Sequence, residues 1–345
     1  MSILILIFLI ITSLILISYL ANHVFNGRCK ISHDMSGKTI IITGASSGIG
    51  KFCAIELVNK GAKVIFACRN EEKTKKVINE IKKDKRHLAI FEKLDLSNFK
   101  SVINFINNIK SKYQKIDILM NNAGSCPYYY NVTEDNFESC FEGNYFSLVL
   151  LTLLLMDHLN ENSKIINLAS VGHKFCSFNK EIAKKIFDNE YLKTYFTSSA
   201  NKDALYCVTK LCIVYFTQEL ADYLNNINSS IKIVCLHPGV VNTTIFNFCR
   251  DDVSIFMRIY YRMIYPLLIL CLKNVEEGAQ TQLYLCYLEN SKIASGKYYS
   301  DCKLGSVSSK AKDKELAKFV FNETIAQITK RLPEYEKEFN KYVKI

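Results

Sequence analysis

The 345-residue chain predicts a doubly wound α/β fold, a mostly parallel sheet with helices on both faces. Three observations carry that expectation. Short β-branched runs alternate with segments of helical period from residue 38 to residue 236. The first run ends in a glycine-rich turn that opens directly into a helix. No repeat and no Gly/Pro/Ser linker divides the body, so residues 28–345 read as one domain.

The elements follow in order. Residues 38–43 (KTIIIT) are a β-branched run closed by Gly44, which reads as a buried strand. Residues 49–60 have helical spacing and stop at Gly61. A second strand is expected over 62–67 (AKVIFA), a charged helix over 71–85 and a third strand over 88–94. A helix over 99–112, a strand over 116–120 and a long helix over 133–159 come next. Strand 164–168, helix 203–225 and strand 231–236 complete the alternation. Parallel strands joined by helices give a three-layer α/β/α arrangement of Rossmann type.

Before the body lies a head of different character. Residues 1–27 contain no Lys, Arg, Asp or Glu, so the whole formal charge of +11 belongs to the rest. Residues 3–21 are nearly all apolar, and nineteen residues at helical rise span about 28 Å, close to the hydrocarbon thickness. A cleaved signal peptide would carry a basic start, which is absent, and small residues before the cut, where Tyr19 would stand third before a cut after Ala21. The head reads as a transmembrane anchor over 1–27. Arg28, Lys30 and Lys38 follow it, which leaves the body cytosolic by the positive-inside rule. The thirteen cysteines are odd in number and scattered, and in a cytosolic body they read as thiols rather than disulfides. No cysteine pair has metal-ligand spacing, and no metal is expected.

The glycine turn, Gly44-Ala45-Ser46-Ser47-Gly48-Ile49-Gly50, lets the backbone approach a pyrophosphate and aims helix N–H groups at its charge. Its spacing is GxxxGxG. Further motifs fall in order behind it. Asp95 and Leu96 follow the third strand, and Asn121-Asn122-Ala123-Gly124 follow the fourth. Asn144 lies in the long helix, and Asn167-Leu168-Ala169-Ser170 end the fifth strand. Tyr206 and Lys210 are spaced i,i+4 on the next helix, so they share a face. Pro238-Gly239-Val240-Val241-Asn242-Thr243 follow the sixth strand. With 20 tyrosines in the chain, about two chance YxxxK matches are expected, so such a hit needs context. The second match, Tyr299 to Lys303, has no helix signal and reads as coincidence.

This ordered set resembles the short-chain dehydrogenase/reductase family. The resemblance implies hydride transfer between a nicotinamide cofactor and a carbonyl or alcohol. It implies catalytic roles for Asn144, Ser170, Tyr206 and Lys210. Tyr206 is then the general acid for reduction, Ser170 a donor to the substrate oxygen, and Asn144 the holder of a relay water. A Tyr phenol titrates near ~10, and an ammonium beside it favours the phenolate, which is the part Lys210 is expected to play. The cofactor residues implied are Gly44, Ser46, Ser47, Gly48, Ile49, Gly50, Arg69, Asn70, Asp95, Leu96, Asn122, Ala123, Gly124, Tyr206, Lys210, Pro238, Gly239, Val241 and Thr243. At the end of the second strand an NAD enzyme usually places an acid. Here Cys68 stands in that place and Arg69 follows, able to pair with a 2′-phosphate, so NADP(H) is expected, with Lys51 and Lys73 more simply read as solvated. His173 and His237, close to the site in sequence, read as structural.

Further stretches narrow the resemblance to the microsomal retinol dehydrogenase/retinal reductase branch: Ala67-Cys68-Arg69-Asn70, Glu276-Glu277-Gly278-Ala279-Gln280-Thr281 and Ser295-Gly296-Lys297-Tyr298. That branch implies an endoplasmic reticulum membrane enzyme with a single span, acting on retinoids or other lipophilic carbonyls, and the family's habit implies a homodimer. Sterol or other lipid ketones are the alternative substrates, and a cofactor-binding scaffold without turnover the non-enzyme alternative. This chain departs from the branch in a short segment after Gly124 and an insertion over about 175–203 before Tyr206. An apolar stretch at about 249–272 holds Arg258, Arg262 and Pro266, which makes it a poor span, and the resemblance implies a substrate lid there. The basic tail from Lys310 to Lys344 comes with no nucleic-acid reader motif and reads as a solvated face.

Overall fold

The computed structural model describes residues 27–126, 129–197, 204–241 and 272–343, together with Leu6, Thr12, Ser13, Leu16, Ile17 and Tyr19, all helical, in the head. The anchor over 1–27 falls mostly outside these residues, as do Thr243, the lid at 249–272 except Leu272, and 198–203 of the insertion.

Eight strands form one sheet in the order β3-β2-β1-β4-β5-β6-β7-β8. They are β1 (Thr39–Thr43), β2 (Lys63–Cys68), β3 (Ala89–Lys93), β4 (Ile116–Asn121), β5 (Leu159–Leu168), β6 (Lys232–Leu236), β7 (Tyr298–Ser300) and β8 (Lys303–Leu304). Every pairing is parallel except β7 with β8. β1 pairs with β2 on one side and β4 on the other, so chain order reverses there and a crevice opens beyond the strand ends.

The period-2 rule explains the layering. Ile41 of β1 joins one core, and Ile40 and Ile42 join the other. The first core holds α3 (Phe99–Lys112), α4 (Ser139–His158) and α7 (Ala204–Asn226). The second holds α1 (Gly48–Asn59), α2 (Glu71–Glu80) and α8 (Val275–Tyr287). α4 is apolar and long enough to cross a membrane, but it is buried in the first core. A hydrogen-bonded chain of polar side chains crosses that core: Asn121 to Thr152 and Asn167, then Asn167 to Thr217. Each such bond contributes about 1 kcal/mol net, and losing one partner costs more because the other stays buried.

Three expectations change. The long helix starts at Ser139, not near 133, because Asn136 adopts a left-handed φ of 58° and residues 133–137 form a turn. Glu138 then caps the helix, accepting from Cys140 and Phe141 N–H. The second change is the insertion, which folds as α5 (Lys180–Lys185) and α6 (Asn189–Thr197). It rests on the 130s turn through Asn189 Nδ2 to Asn136 O, 3.1 Å, and Tyr130 Oη to Asn189 O, 2.8 Å. The third is the basic tail, which is folded. α9 (Lys314–Arg331) packs on α7, with Phe321 stacked on Phe216 at 6.1 Å, and α10 (Glu336–Val343) buries Phe339 and Tyr342. Tyr299 and Lys303 sit on the two strands of the β7–β8 hairpin, not on a helix.

Candidate active site

The glycine turn leaves β1 and enters α1 at the crevice. Gly44 has φ 70°. A Cβ on Gly50 would stand 2.3 Å from Asn122 Nδ2 and 2.7 Å from Gly44 O, so no side chain fits there. Ser47 caps α1 with extended backbone and no side-chain cap bond. The first N–H groups of a helix lack intrahelical acceptors, and here the N-terminus of α1, over Gly48, Ile49 and Gly50, opens at the crevice to an anion. The loop is braced from below. Thr43 Oγ1 accepts from Asn122 N and Ala123 N, Asn122 Nδ2 donates to Thr43 O, and Gln282 Nε2 donates to Asn122 Oδ1 at 3.1 Å. Asn122 is thus a strut between loops. Gln282 carried no sequence signal, since its partner lies 160 positions away.

A cleft of 680 Å³ runs along this turn and is lined by Gly44, Ser46, Arg69, Asp95, Leu96, Ala123, Gly124 and Asn144 among others. Arg69 is exposed at its wall. Cys68 is buried, and burial pushes its thiol up, against hydrogen bonds to Thr74 and Ser46. Asn70 spends its amide oxygen on Lys73 N–H as the cap of α2, and Lys51 pairs with Glu80 at 2.7 Å. Asp95 Oδ1 accepts from Ser97 N and Oγ, and Leu96 O accepts from Ser147. Beyond β6, Gly239 has φ 91° and its N–H donates to His237 Nδ1, while Val241 pairs with Lys273 as an isolated parallel bridge. Pro238 stands between them.

Ser170, Tyr206 and Lys210 meet at the ends of β5 and α7. Ser170 Oγ accepts from Gly172 N at 3.0 Å and is hydrogen-bonded to the Tyr206 phenol. Lys210 is 1% exposed, its Nζ donating to Leu168 O at 2.8 Å and lying 5.5 Å from the Tyr206 ring centroid. Burial pushes the Lys210 ammonium down to about 8, and burial pushes the Tyr206 phenol well above its usual value, with Ser170 opposing. In the chain alone desolvation dominates both groups. Asn144 sits in a π-turn of α4, Glu142–Phe146, a distortion frequent at functional sites. Its carboxamide clasps the Ser125 backbone, accepting from N and donating to O, both at 2.8 Å. Ser125 is the partner that sequence reasoning missed.

Residues 38–180 match the model of the short chain dehydrogenase family. Retinol dehydrogenase 13 of Mus musculus is 35% identical over 310 residues, covering 88% of each chain. The chain belongs to the short-chain dehydrogenase/reductase family. Human retinol dehydrogenase 11 is 33% identical over 298 residues, with 85% of this chain and 86% of that one covered. Among solved structures, a short chain dehydrogenase from Burkholderia cenocepacia in complex with NADP superposes with a TM-score of 0.56 at 20% identity, covering 77% of this chain and 96% of that one. That likeness speaks to the fold. Within the family the chain falls in the retinol dehydrogenase branch, and it is an oxidoreductase acting on CH–OH or C=O groups with a nicotinamide cofactor.

Proposed function

We propose that the protein is a membrane-anchored, NADP(H)-dependent reductase/dehydrogenase of retinoid-like or other lipophilic carbonyls and alcohols. The observation that carries this reading is the Ser170–Tyr206–Lys210 cluster, its Tyr206 and Lys210 buried, beside a phosphate-ready helix start where Cys68 stands in place of an acid at the end of β2 and Arg69 lines the cleft. The curated relatives named retinol dehydrogenases favour a retinoid over a sterol or other lipid ketone.

The cradle fits a dinucleotide: side-chain-free backbone at Gly44 and Gly50, a helix N-terminus, and a guanidinium positioned for a 2′-phosphate. A bound nicotinamide supplies or accepts the hydride. The chain's own residues handle the proton and the orientation. Tyr206 gives its proton to the carbonyl oxygen during reduction and takes it back during oxidation. Gly172 N–H fills one lone pair of Ser170 Oγ and so aims its hydroxyl at the same oxygen. Lys210 holds ribose hydroxyls, and its charge rises once an anionic partner enters the pocket. Asn144 holds Ser125 and with it the strand-end loop.

Residues 1–27 anchor the body in the endoplasmic reticulum membrane with the catalytic domain cytosolic, and the body pairs as a homodimer. Leu6, Leu16 and Ile17 of the head are helical and exposed, as lipid-facing residues would be. The test is purified full-length protein with NADPH or NADH against all-trans-retinal, medium-chain aldehydes and sterol ketones. NADPH-dependent retinal turnover is expected. Preference for NADH refutes the cofactor reading, and activity confined to another carbonyl class refutes the retinoid.

A further inference from the structure

The turn after β5 is tied to a distant part of the chain at three points. Ser308 N–H donates to His173 Nε2 at 3.2 Å, Lys174 Nζ donates to Ser306 Oγ at 3.2 Å, and Lys310 Nζ donates to Cys176 O at 2.7 Å. His173 is fully buried, and its ring lies 5.0 Å from that of Tyr298. Its other nitrogen, Nδ1, lies 2.6 Å from Ser170 O. The two partners have opposite character: an amide N–H can only donate, and a carbonyl can only accept. A neutral imidazole satisfies both only with its proton on Nδ1. Ser170 itself is extended, φ −158° and ψ 155°, with its hydroxyl oxygen held by Gly172 N–H. The backbone of this serine is therefore gripped from one side by His173, and His173 is gripped in turn by the segment that leads into α9.

We propose that His173 is a positioning residue for Ser170: its Nδ1–H fixes the serine carbonyl, while its Nε2 separately anchors residues 305–312. The kinetic part of the test rests on the reductase reading above; the other parts do not.

Two substitutions divide the ring's functions. Asn places an amide nitrogen where Nδ1 stands and reaches no further, while Gln places its amide near Nε2 and leaves the Nδ1 position empty. His173→Gln should lower kcat about ten- to a hundredfold with the KM for NADPH unchanged, because a displacement of about an ångström at a reacting group costs that much. His173→Asn should recover most of that loss. In hydrogen exchange, which needs no substrate, residues 305–312 should stay protected in His173→Gln and exchange faster in His173→Asn. Wild-type kcat in His173→Gln, equal losses in both variants, or unchanged protection in His173→Asn overturns the proposal. Wild-type protein that reduces no carbonyl refutes the substrate reading alone. If neither variant folds, nitrogen-15 histidine NMR of the wild type decides: Nδ1–H supports the assignment and Nε2–H overturns it.

Discussion

The two halves of the crevice are built differently. On the side of β1 and β2 the site is mostly backbone: glycines at Gly44 and Gly50, a helix start, and a strut of Thr43, Asn122 and Gln282 beneath. On the side of β5 and α7 it is mostly side chains: Ser170 bonded to Tyr206, Lys210 held by Leu168 O and Asn144 by the Ser125 backbone, with Tyr206, Lys210 and Asn144 buried. On the proposed reading the first half recognises charge with groups that do not titrate. On the same reading the second moves a proton, with groups whose acidities burial has displaced in opposite directions. Shape therefore governs one half and protonation the other, and each should fail in its own way.

Tyr206→Phe separates them most sharply. It removes the acid without changing the cradle, so turnover should fall by about 10²–10⁴-fold while NADPH binding, read by nucleotide fluorescence, stays within about threefold. A comparable loss of binding would dissolve the contrast. Gly50→Val attacks the other half. Its Cβ meets Asn122 and Gly44 O below 3 Å, so NADPH binding should weaken by more than tenfold and stability drop by about 1–3 kcal/mol in urea unfolding. Arg69→Ala is gentler. Loss of a charge-assisted bond of about 1.5–3 kcal/mol should raise the KM for NADPH roughly tenfold or more and leave that for NADH unchanged. An equal effect on both cofactors would mean that Arg69 does not read the 2′-phosphate.

The same contrast decides what could be read from sequence. Backbone-built features leave local marks, so the glycine turn, the strand KTIIIT and the Asn-Asn-Ala-Gly corner were legible, and their elements appear within a few residues of expectation. Long-range supports leave none. Gln282 under Asn122, Ser308 on His173 and Arg331 on the 130s turn are paired across 135 to 196 positions. Residues 133–138 (TEDNFE) hold no Gly or Pro to stop a helix, and only tertiary contacts show why the helix waits until Ser139: Asn136 turns left-handed, and Arg331 donates to Asp135 O and Asn136 O with its guanidinium 3.6 Å from the Phe137 ring centroid. The charge of residues 310–344 hid a helical stripe of Val320, Phe321 and Ile328. The hairpin of β7 and β8 was too short to announce itself.

A last comparison concerns pH. Glu142 lies fully buried in the π-turn beside Asn144, facing Asp135, Thr133 and Arg331, and burial pushes its carboxyl up to about 8. An acid whose folded value lies above its unfolded one binds its proton more tightly in the native state. Between about 4.5 and about 8 the native state therefore holds more protons than the unfolded one, and stability falls as pH rises through that window. Glu142→Gln keeps the shape and cannot ionise. Relative to wild type its melting temperature should gain little at pH 5 and a few degrees at pH 8.5, read in matched thermal scans. Since no comparable buried carboxyl stands among the described residues of the glycine turn, a Gly50→Ala variant should show a difference from wild type that is flat in pH. A pH-independent shift in Glu142→Gln would mean that the acid is ionised or hydrated in the fold, and the division of the crevice into a shaped half and a titrating half would then rest on Tyr206 and Lys210 alone.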